Sequence, residues 1–287
     1  MTVSGNYACL PPVRILWINP VGFSAYDQPM ADVIAQIKQP STTVELVSLH
    51  TDTSPDNLEY RTFESTIIRE TVELARYAAV NGFDGAVIGC FYDPALPDAR
   101  EISGDTVVVA PCEASLRVAM RLSNHFSVIV GQKFWIEQMT ARVREYGCED
   151  RLASMRSIDC PVCQMQVDPP HTRKQIYEAA RLAIEEDGAE SIILGCTMEF
   201  GHFRELQEQL GVPVIDPVFA AFKDCEFAAG LKAAYGWKPS RVGSCVAPSE
   251  ADLARFKIFQ RPAPIGNRVL IPGAAQSTAA ESRGATA

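Results

Sequence analysis

Gly82-Phe-Asp-Gly-Ala-Val-Ile-Gly-Cys90 and Gly188-Ala-Glu-Ser-Ile-Ile-Leu-Gly-Cys196 decide the fold of this chain, because both stretches follow one pattern. Each begins with a glycine, continues as a short apolar run and ends in Gly-Cys. With the helical segments that precede them, from Glu73 and Glu178, the stretches are identical at seven positions when one gap is allowed. An acidic residue also follows each cysteine at the same interval. The two stretches are therefore interpreted as copies of one structural unit.

Each copy predicts a helix followed by a buried strand. The segment before the glycine has the periodicity of an amphipathic helix, and the glycine ends that helix. The apolar run lacks polar alternation, which is typical of a strand covered on both faces of a parallel sheet. The duplication therefore offers two thiols, Cys90 and Cys196, one in each half of the chain.

The rest of the chain continues this alternation of strands and helices. Strands are predicted at Val13 to Asn19, at Thr43 to Ser48 and, at the start of the second half, at Phe126 to Val130. Short links between alternating strands and helices predict an α/β fold of mostly parallel, doubly wound sheets. In such sheets ligands bind beyond the carboxyl ends of the strands, which is where both cysteines are placed.

The composition limits the classes of function. A chain of 287 residues with 47% hydrophobic residues can bury a full core. Its formal charge of -9 opposes contact with phosphate backbones, so nucleic acid is not expected as a partner. Residues 1–12 lack the features of a signal sequence, and no later segment approaches a membrane span. We therefore expect a cytoplasmic protein without a membrane partner, whose nine cysteines are reduced.

The paired cysteines suggest acid and base chemistry at a carbon atom. A thiol at the end of a parallel strand, just before a helix, lies beside backbone amides, so we expect each thiolate to form more readily. Two such groups facing each other would remove a proton from one face of a carbon and return one to the other face. This stereoinversion needs no cofactor. A single cysteine after an apolar strand is usually a small buried hydrophobic residue, but the duplication favours the functional interpretation.

The motifs around the cysteines resemble those of a known family. They are Val87-Ile-Gly-Cys-Phe-Tyr-Asp-Pro94, the Glu113-Ala-Ser segment, Phe126-Ser-Val-Ile-Val130, Ile193-Leu-Gly-Cys196 and Val212-Pro-Val-Ile-Asp-Pro217. Together they look like the aspartate/glutamate racemase superfamily, and most closely its hydantoin racemase branch. The resemblance covers roughly residues 13 to 240 and contains both cysteine motifs in order.

The resemblance implies an architecture. The fold would consist of two pseudo-symmetric α/β lobes with one active site in the cleft between them. Lobe 1 would comprise residues 13–115 and 214–258, and lobe 2 residues 116–213. Residues 259–287 would form an extended or disordered tail. The sequence does not decide between a monomer and a homo-oligomer.

The resemblance also implies cofactor-independent racemisation of a small molecule, most closely a hydantoin or a related cyclic ureide. Cys90 and Cys196 would be the opposed acid and base at a carbon next to a carbonyl group. For substrate binding the resemblance implies Asn19, together with Ser24 in the loop that differs from the family pattern. It also implies the backbone amides of Phe91, Tyr92, Thr197 and Met198 and the hydroxyl of Thr197. Such amides stabilise the negative charge of a planar enolate as the proton leaves.

Departures from the hydantoin racemase pattern, among them Val130-Gly131 where relatives tend to have threonine, keep other substrates open. The first strand continues as Asn19-Pro-Val-Gly instead of Asn-Pro-Asn-Thr, and Thr197-Met-Glu199 is closer to the amino-acid racemases. An amino-acid racemase is therefore an alternative, as is an enzyme like arylmalonate decarboxylase or maleate isomerase of the same superfamily. A non-enzymatic ligand-binding module is a further alternative, and it would need no activated thiol.

The remaining candidate residues are given structural interpretations. Cys160-Pro-Val-Cys163 has the spacing of a redox pair or half a zinc site, but no second close pair follows it. Asp93 is predicted to cap the helix that begins at Pro94, and Cys112 to be structural. Glu113 is predicted to cap its helix or to point into the cleft, and His202 to be a surface or capping residue. The chain contains neither nucleotide-binding glycine motif, so no cofactor is expected.

Overall fold

The structure is a computed structural model that describes residues 11–274. The strands are β1 (Arg14–Asn19), β2 (Thr43–Ser48), β3 (Gly85–Ile88), β4 (Val107–Val109), β5 (Phe126–Val130), β6 (Leu152–Ser157), β7 (Ser191–Leu194), β8 (Val214–Ile215) and β9 (Asn267–Ile271). The helices are α1 (Asp27–Ile37), α2 (Arg61–Val80), α3 (Leu96–Ile102), α4 (Pro111–Leu122), α5 (Ile136–Glu145), α6 (Pro169–Glu185), α7 (Phe203–Leu210), α8 (Pro217–Tyr235) and α9 (Glu250–Arg255). None of these helices is long and apolar enough to cross a membrane.

Two sheets form the framework, and they repeat one another. The first, in lobe 1, has the strand order β4-β3-β1-β2-β9; the second, in lobe 2, read in the corresponding direction, has the order β8-β7-β5-β6. All pairs are parallel except that of β2 with β9. The repeated strands β3 and β7 are buried along their whole length, as their apolar sequences require. The predicted α/β fold with mostly parallel sheets is confirmed.

The helix after the last parallel strand of each sheet crosses to the other lobe. Helix α4 follows β4 but packs against β7 and β8, whereas α8 follows β8 and packs against β3 and β4. The two helices also pack against each other. Because each lobe covers its sheet with a helix from the other half of the chain, the two lobes share one apolar core. The sequence boundary proposed between residues 115 and 116 falls inside α4.

A strand from the C-terminal region extends the first sheet. The sequence predicts an extended or disordered tail over residues 259–287, whereas Asn267–Ile271 pairs with β2 in antiparallel register. The sequence signal is weak because β9 is a short edge strand whose side chains alternate between exposed and partly covered positions. Residues 275–287 lie outside the described part of the chain.

Asp93 caps a different helix from the one we predicted. The next helix, α3, begins only at Leu96, and Asp93 itself has a left-handed φ of 50°. Its buried carboxylate instead accepts the N–H groups of Cys112 at 2.8 Å and Glu113 at 2.9 Å in the first turn of α4. The Tyr146 hydroxyl donates a third bond at 2.8 Å. Asp93 therefore joins the first cysteine loop to the crossing helix.

Replacement of Asp93 by alanine should destabilise the protein strongly. Asp93→Ala leaves two N–H groups of α4 and a tyrosine hydroxyl without their acceptor inside the protein. We expect the free energy of unfolding to fall by about 2 to 4 kcal/mol, since a lost cap costs about 0.5 to 2 kcal/mol and an unsatisfied buried donor costs about 1 to 3 kcal/mol. Urea unfolding followed by circular dichroism measures the change.

Asp98→Ala is the matched control, because Asp98 is an exposed residue in the first turn of α3. Its loss should cost less than about 1 kcal/mol, the scale of an exposed charge at a helix N-terminus. Equal effects of the two substitutions would contradict the capping role of Asp93.

Candidate active site

A glycine holds each cysteine at the end of its strand. The Gly89 N–H donates to the Ile18 carbonyl of β1 at 2.7 Å, and the Gly195 N–H donates to the Ile129 carbonyl of β5 at 2.7 Å. A Cβ atom at Gly89 would lie 2.5 Å from the Trp17 indole nitrogen, and one at Gly195 would lie 2.5 Å from the Ile129 oxygen. Because only glycine permits this approach, the backbone positions both cysteines in the same way.

The two cysteines line one cavity of about 180 Å³. It lies at the carboxyl ends of β3 and β7, where ligands bind in parallel sheets. Five of the six predicted substrate-binding residues also line it: Asn19, Phe91, Tyr92, Thr197 and Met198.

Ser24 lies outside this lining, and its side chain is exposed, which corrects its predicted role. The loop that carries Ser24 reaches the cavity through other residues: Pro20, Val21, Phe23 and Tyr26. The predicted polar contact thus fails because this loop turns largely apolar side chains toward the cavity. Asn19 supports the loop, since its side-chain amide donates to the Phe23 carbonyl at 3.4 Å and to Asp27 Oδ1 at 3.0 Å.

Each sulfur accepts a hydrogen bond from the amide two residues further along the chain. The Met198 N–H donates to Cys196 Sγ at 3.5 Å, and the Tyr92 N–H hydrogen-bonds to the Cys90 thiolate. These bonds lower the pKa of the thiols, as the sequence pattern predicts for amides beside a strand-end sulfur. The two amides are therefore engaged with sulfur.

Burial nevertheless outweighs these hydrogen bonds. It raises the pKa of Cys90 to about 12, and it raises the pKa of Cys196 well above its usual value. The carboxylate of Glu199 and the charge of Cys90 raise the pKa of Cys196 further. Our prediction that the thiolates form more readily is therefore wrong for the free protein, because desolvation opposes the charged form more than the amides favour it.

Thr197 joins the two cysteine loops. Its hydroxyl, which we expected at the substrate, donates to the Gly89 carbonyl at 3.2 Å across the two lobes. The loop of the second cysteine is thereby fixed against the glycine that precedes the first. The Thr197 backbone stays at the cavity wall.

The acids that follow the cysteines have different partners. Glu199 Oε2 accepts the Cys196 N–H at 3.2 Å and so closes the turn of its own cysteine, whereas Asp93 binds α4. Glu199 Oε1 is buried and has no hydrogen-bond partner among residues 11–274. Burial raises the pKa of Glu199 well above its usual range. The duplicated spacing therefore does not imply a duplicated role.

The cavity has an acidic wall that the sequence motifs did not indicate. Asp56 and Glu59, in the loop between β2 and α2, both line it, and its described lining contains no lysine, arginine or histidine. Glu59 Oε1 accepts the Val162 N–H at 2.6 Å, which ties a loop of lobe 1 to a loop of lobe 2 at the cavity. The sequence shows that this loop is acidic, but only the tertiary structure shows that its acidic side chains lie in the same cavity as the two cysteines.

Two buried donors belong to residues of the same wall. The Tyr92 hydroxyl and the Trp135 indole N–H have no hydrogen-bond partner within the described chain, and their rings meet edge to face with centroids 6.5 Å apart. Because buried polar atoms are normally satisfied, these two unpaired donors are exceptions in the wall of the cavity.

Two other singled-out residues, Glu113 and His202, lie outside the cavity lining. Glu113 neither caps α4 nor enters the cavity but forms ion pairs with Arg100 and Arg117. His202 is buried rather than exposed, makes no side-chain cap bond, and burial lowers its pKa.

The remaining cysteines differ in their surroundings. Cys112 is fully buried at the start of α4 and outside the cavity lining. Cys160 is buried, whereas its neighbour Cys163 is exposed at the cavity. Among residues 11–274 no group of three or more metal-ligating side chains occurs.

Comparison with known proteins gives one consistent family. The model of the Asp/Glu/hydantoin racemase family matches residues 15–225. A hydantoin racemase of Paenarthrobacter aurescens is 33% identical and covers 83% of this chain and 98% of its own length. A hydantoin racemase of Rhizobium meliloti is 32% identical over 86% of this chain and 99% of its own length. The solved structure of an allantoin racemase from Klebsiella pneumoniae is similar with a TM-score of 0.76 and 28% identity, over 83% of this chain and 94% of its own.

The raised pKa of Cys90 predicts how its reaction with iodoacetamide depends on pH. Only the thiolate reacts, and below the pKa its fraction rises with pH, so the rate should rise about tenfold per pH unit between about pH 7 and about pH 9. Mass spectrometry of the digested protein follows each cysteine separately. A plateau within this range would contradict the effect of burial.

Proposed function

Because the chain is an isomerase that belongs to the Asp/Glu/hydantoin racemase family, we propose that it racemises a hydantoin or a related cyclic ureide with Cys90 and Cys196. The observation that carries this proposal is the position of the two sulfurs, held by equivalent glycines in the wall of one cavity. One thiolate would take the proton from the carbon between the ring carbonyl and the ring nitrogen. The opposite thiol would return a proton to the other face.

The two thiols would share one negative charge. The charge of Cys90 raises the pKa of Cys196, so a second ionisation in the same cavity is disfavoured. One base and one acid therefore coexist, which is the state a racemase needs in either direction. The high thiol pKa values make the resting thiolate rare. They also make it a stronger base, which lowers the cost of removing a proton from carbon.

Backbone amides would stabilise the enolate. The amides of Tyr92 and Met198 are bonded to sulfur, so we assign this role first to the amides of Phe91 and Thr197, which donate to no acceptor within residues 11–274. Each follows a cysteine directly and therefore lies beside the carbon that reacts. Charge that develops on the carbonyl oxygen is stabilised by such fixed donors because they need no reorganisation. The Tyr92 hydroxyl and the Trp135 indole would donate to further carbonyl oxygens of the ring.

The charge of the cavity favours a neutral substrate. Amino acids, malonates and maleate bring carboxylates, for which the described lining offers no cationic partner and two acidic side chains, Asp56 and Glu59. Hydantoins and allantoin carry ring carbonyls and N–H groups without a carboxylate. They therefore match both the unpaired donors and the acidic acceptors of the wall. The alternatives among amino-acid racemases and malonate or maleate enzymes lack this support.

Each cysteine should remove the proton from one enantiomer of the substrate. In deuterated water, Cys90→Ser should still exchange the reacting hydrogen of one hydantoin enantiomer, and Cys196→Ser that of the other, because each variant keeps one base. Racemisation should fall by about 100-fold or more in both, the scale of a lost acid or base. NMR follows exchange, and polarimetry follows racemisation.

Cys245→Ser is the matched control for these variants, since Cys245 is exposed and outside the cavity lining. It should retain the racemisation rate of the unsubstituted protein. Full turnover in both active-site variants, each correctly folded, would overturn the assignment.

Substrate charge should determine turnover. 5-Benzylhydantoin or allantoin should react with a kcat/KM at least about 100-fold above that for aspartate, glutamate, phenylmalonate or maleate, because like charges placed together cost several kcal/mol. Glu59→Gln should narrow this difference, since it removes the charge but keeps an oxygen for the Val162 N–H. Chiral chromatography measures the racemisation of the hydantoin, allantoin and the amino acids, and reversed-phase chromatography measures the loss of phenylmalonate and maleate. Faster conversion of a carboxylate substrate by the unsubstituted protein would contradict the proposal.

A further inference from the structure

The C-terminal strand β9 lies beyond the part of the chain that matches the family, which ends at residue 225. In the second sheet no described strand occupies the equivalent edge position. The first residue of β9, Asn267, reaches a buried carboxylate at the N-terminus of α1. The strand is therefore connected to the loop that forms one wall of the cavity.

Asp27 is the centre of this connection. It is 1% exposed, and its Oδ2 accepts the Asn267 side-chain amide at 2.9 Å and the Ser48 hydroxyl at 2.7 Å. Its Oδ1 accepts the Asn19 side-chain amide at 3.0 Å. Three neutral donors thus satisfy one buried carboxylate, and a buried charge that loses a donor must find another or move. The position of Asn19, which binds Oδ1, therefore depends on the donors Ser48 and Asn267, which hold Oδ2 of the same carboxylate.

The backbone strengthens the connection. The Asp27 N–H donates to the Ser24 carbonyl at 3.0 Å, which closes the loop between Asn19 and α1. On the other side the Gly266 N–H donates to the Ser48 carbonyl at 2.8 Å. A Cβ atom at Gly266 would lie 2.2 Å from the Leu49 oxygen, so glycine is needed where the C-terminal segment meets β2.

We infer that Asn267 is a positioning residue of the active site, which acts through Asp27 on Asn19 and on the cavity wall formed by Pro20, Val21, Phe23 and Tyr26. The C-terminal strand is then part of the site's architecture although it touches no reacting atom. The inference rests on the proposed function for its kinetic consequence, but its structural consequence can be measured without turnover. The sulfurs themselves are fixed by the glycines at β3 and β7, so the effect concerns substrate binding rather than proton transfer.

Asn267→Ala should raise KM for a hydantoin about fivefold and change kcat less than about twofold, since uniform binding is lost while the chemical step is kept. Ser48→Ala, which removes the other donor to the same oxygen without altering β9, should act in the same direction. Leu270→Ala is the matched control, because Leu270 is an exposed residue of the same strand. A change in stability alone would lower the active fraction and kcat but leave KM unchanged.

A double-mutant cycle tests the route through Asp27. In an Asn19→Ala background, Asn267→Ala should raise KM by less than about twofold, because coupled residues do not add. Additive effects would overturn the inference.

The reaction of Cys90 and Cys196 with iodoacetamide tests the same inference without a substrate. Asn267→Ala should speed it severalfold through a loosened wall, whereas Leu270→Ala should not. Equal rates in these two variants would also overturn the inference. The two proposals can fail separately. If the unsubstituted protein turns over no hydantoin, but Asn267→Ala still speeds the alkylation of the cysteines, the proposed function is refuted and this inference stands.

Discussion

The proposed active site depends on the close approach of two glycines to the carbonyls of neighbouring strands. Gly89 and Gly195 donate to Ile18 and Ile129 at the same 2.7 Å, and neither position has room for a side chain. A cysteine directly follows each glycine beyond the end of the strand, so two equivalent backbones place two sulfurs in the wall of one cavity. Helices α4 and α8 stabilise this arrangement because each covers the sheet of the other lobe. The lobes cannot separate without exposing their common core.

The duplication holds for the strands but not for the polar groups around them. In the second half Asp216 precedes α8 and caps it through the N–H groups of Val218 and Phe219. The equivalent position before α4 is Ala110, which has no side-chain acceptor, and Asp93 supplies the carboxylate from the cysteine loop instead. A buried helix N-terminus needs an acceptor, but the acceptor can come from any element within reach. One half could therefore change its capping residue while the sulfur kept its place.

Burial sets the chemical character of the thiols. Desolvation raises the pKa of both, and the amides that hydrogen-bond to sulfur only partly offset it. The acidic wall adds to this environment, since the described lining contains Asp56 and Glu59 and no cation. A closed site of this kind keeps the thiolate scarce but strongly basic. These surroundings support the proposed neutral substrate and the proposed proton transfer, which leaves the total charge of the site unchanged.

The amino-acid sequence by itself determined the alternating α/β fold, the duplication, the family and the two cysteines at strand ends, because apolar periodicity and the Gly-Cys repeats are local signals. It did not determine the partners of the polar residues. Asp93, Thr197 and Asn267 bind groups that lie 19 to 240 residues away along the chain, and Ser24 lies outside the cavity although Asn19, from the same loop, lines it. The tertiary structure alone decided these contacts and the direction of the thiol pKa shifts. Both depend on which distant segments meet and on how much water their packing excludes.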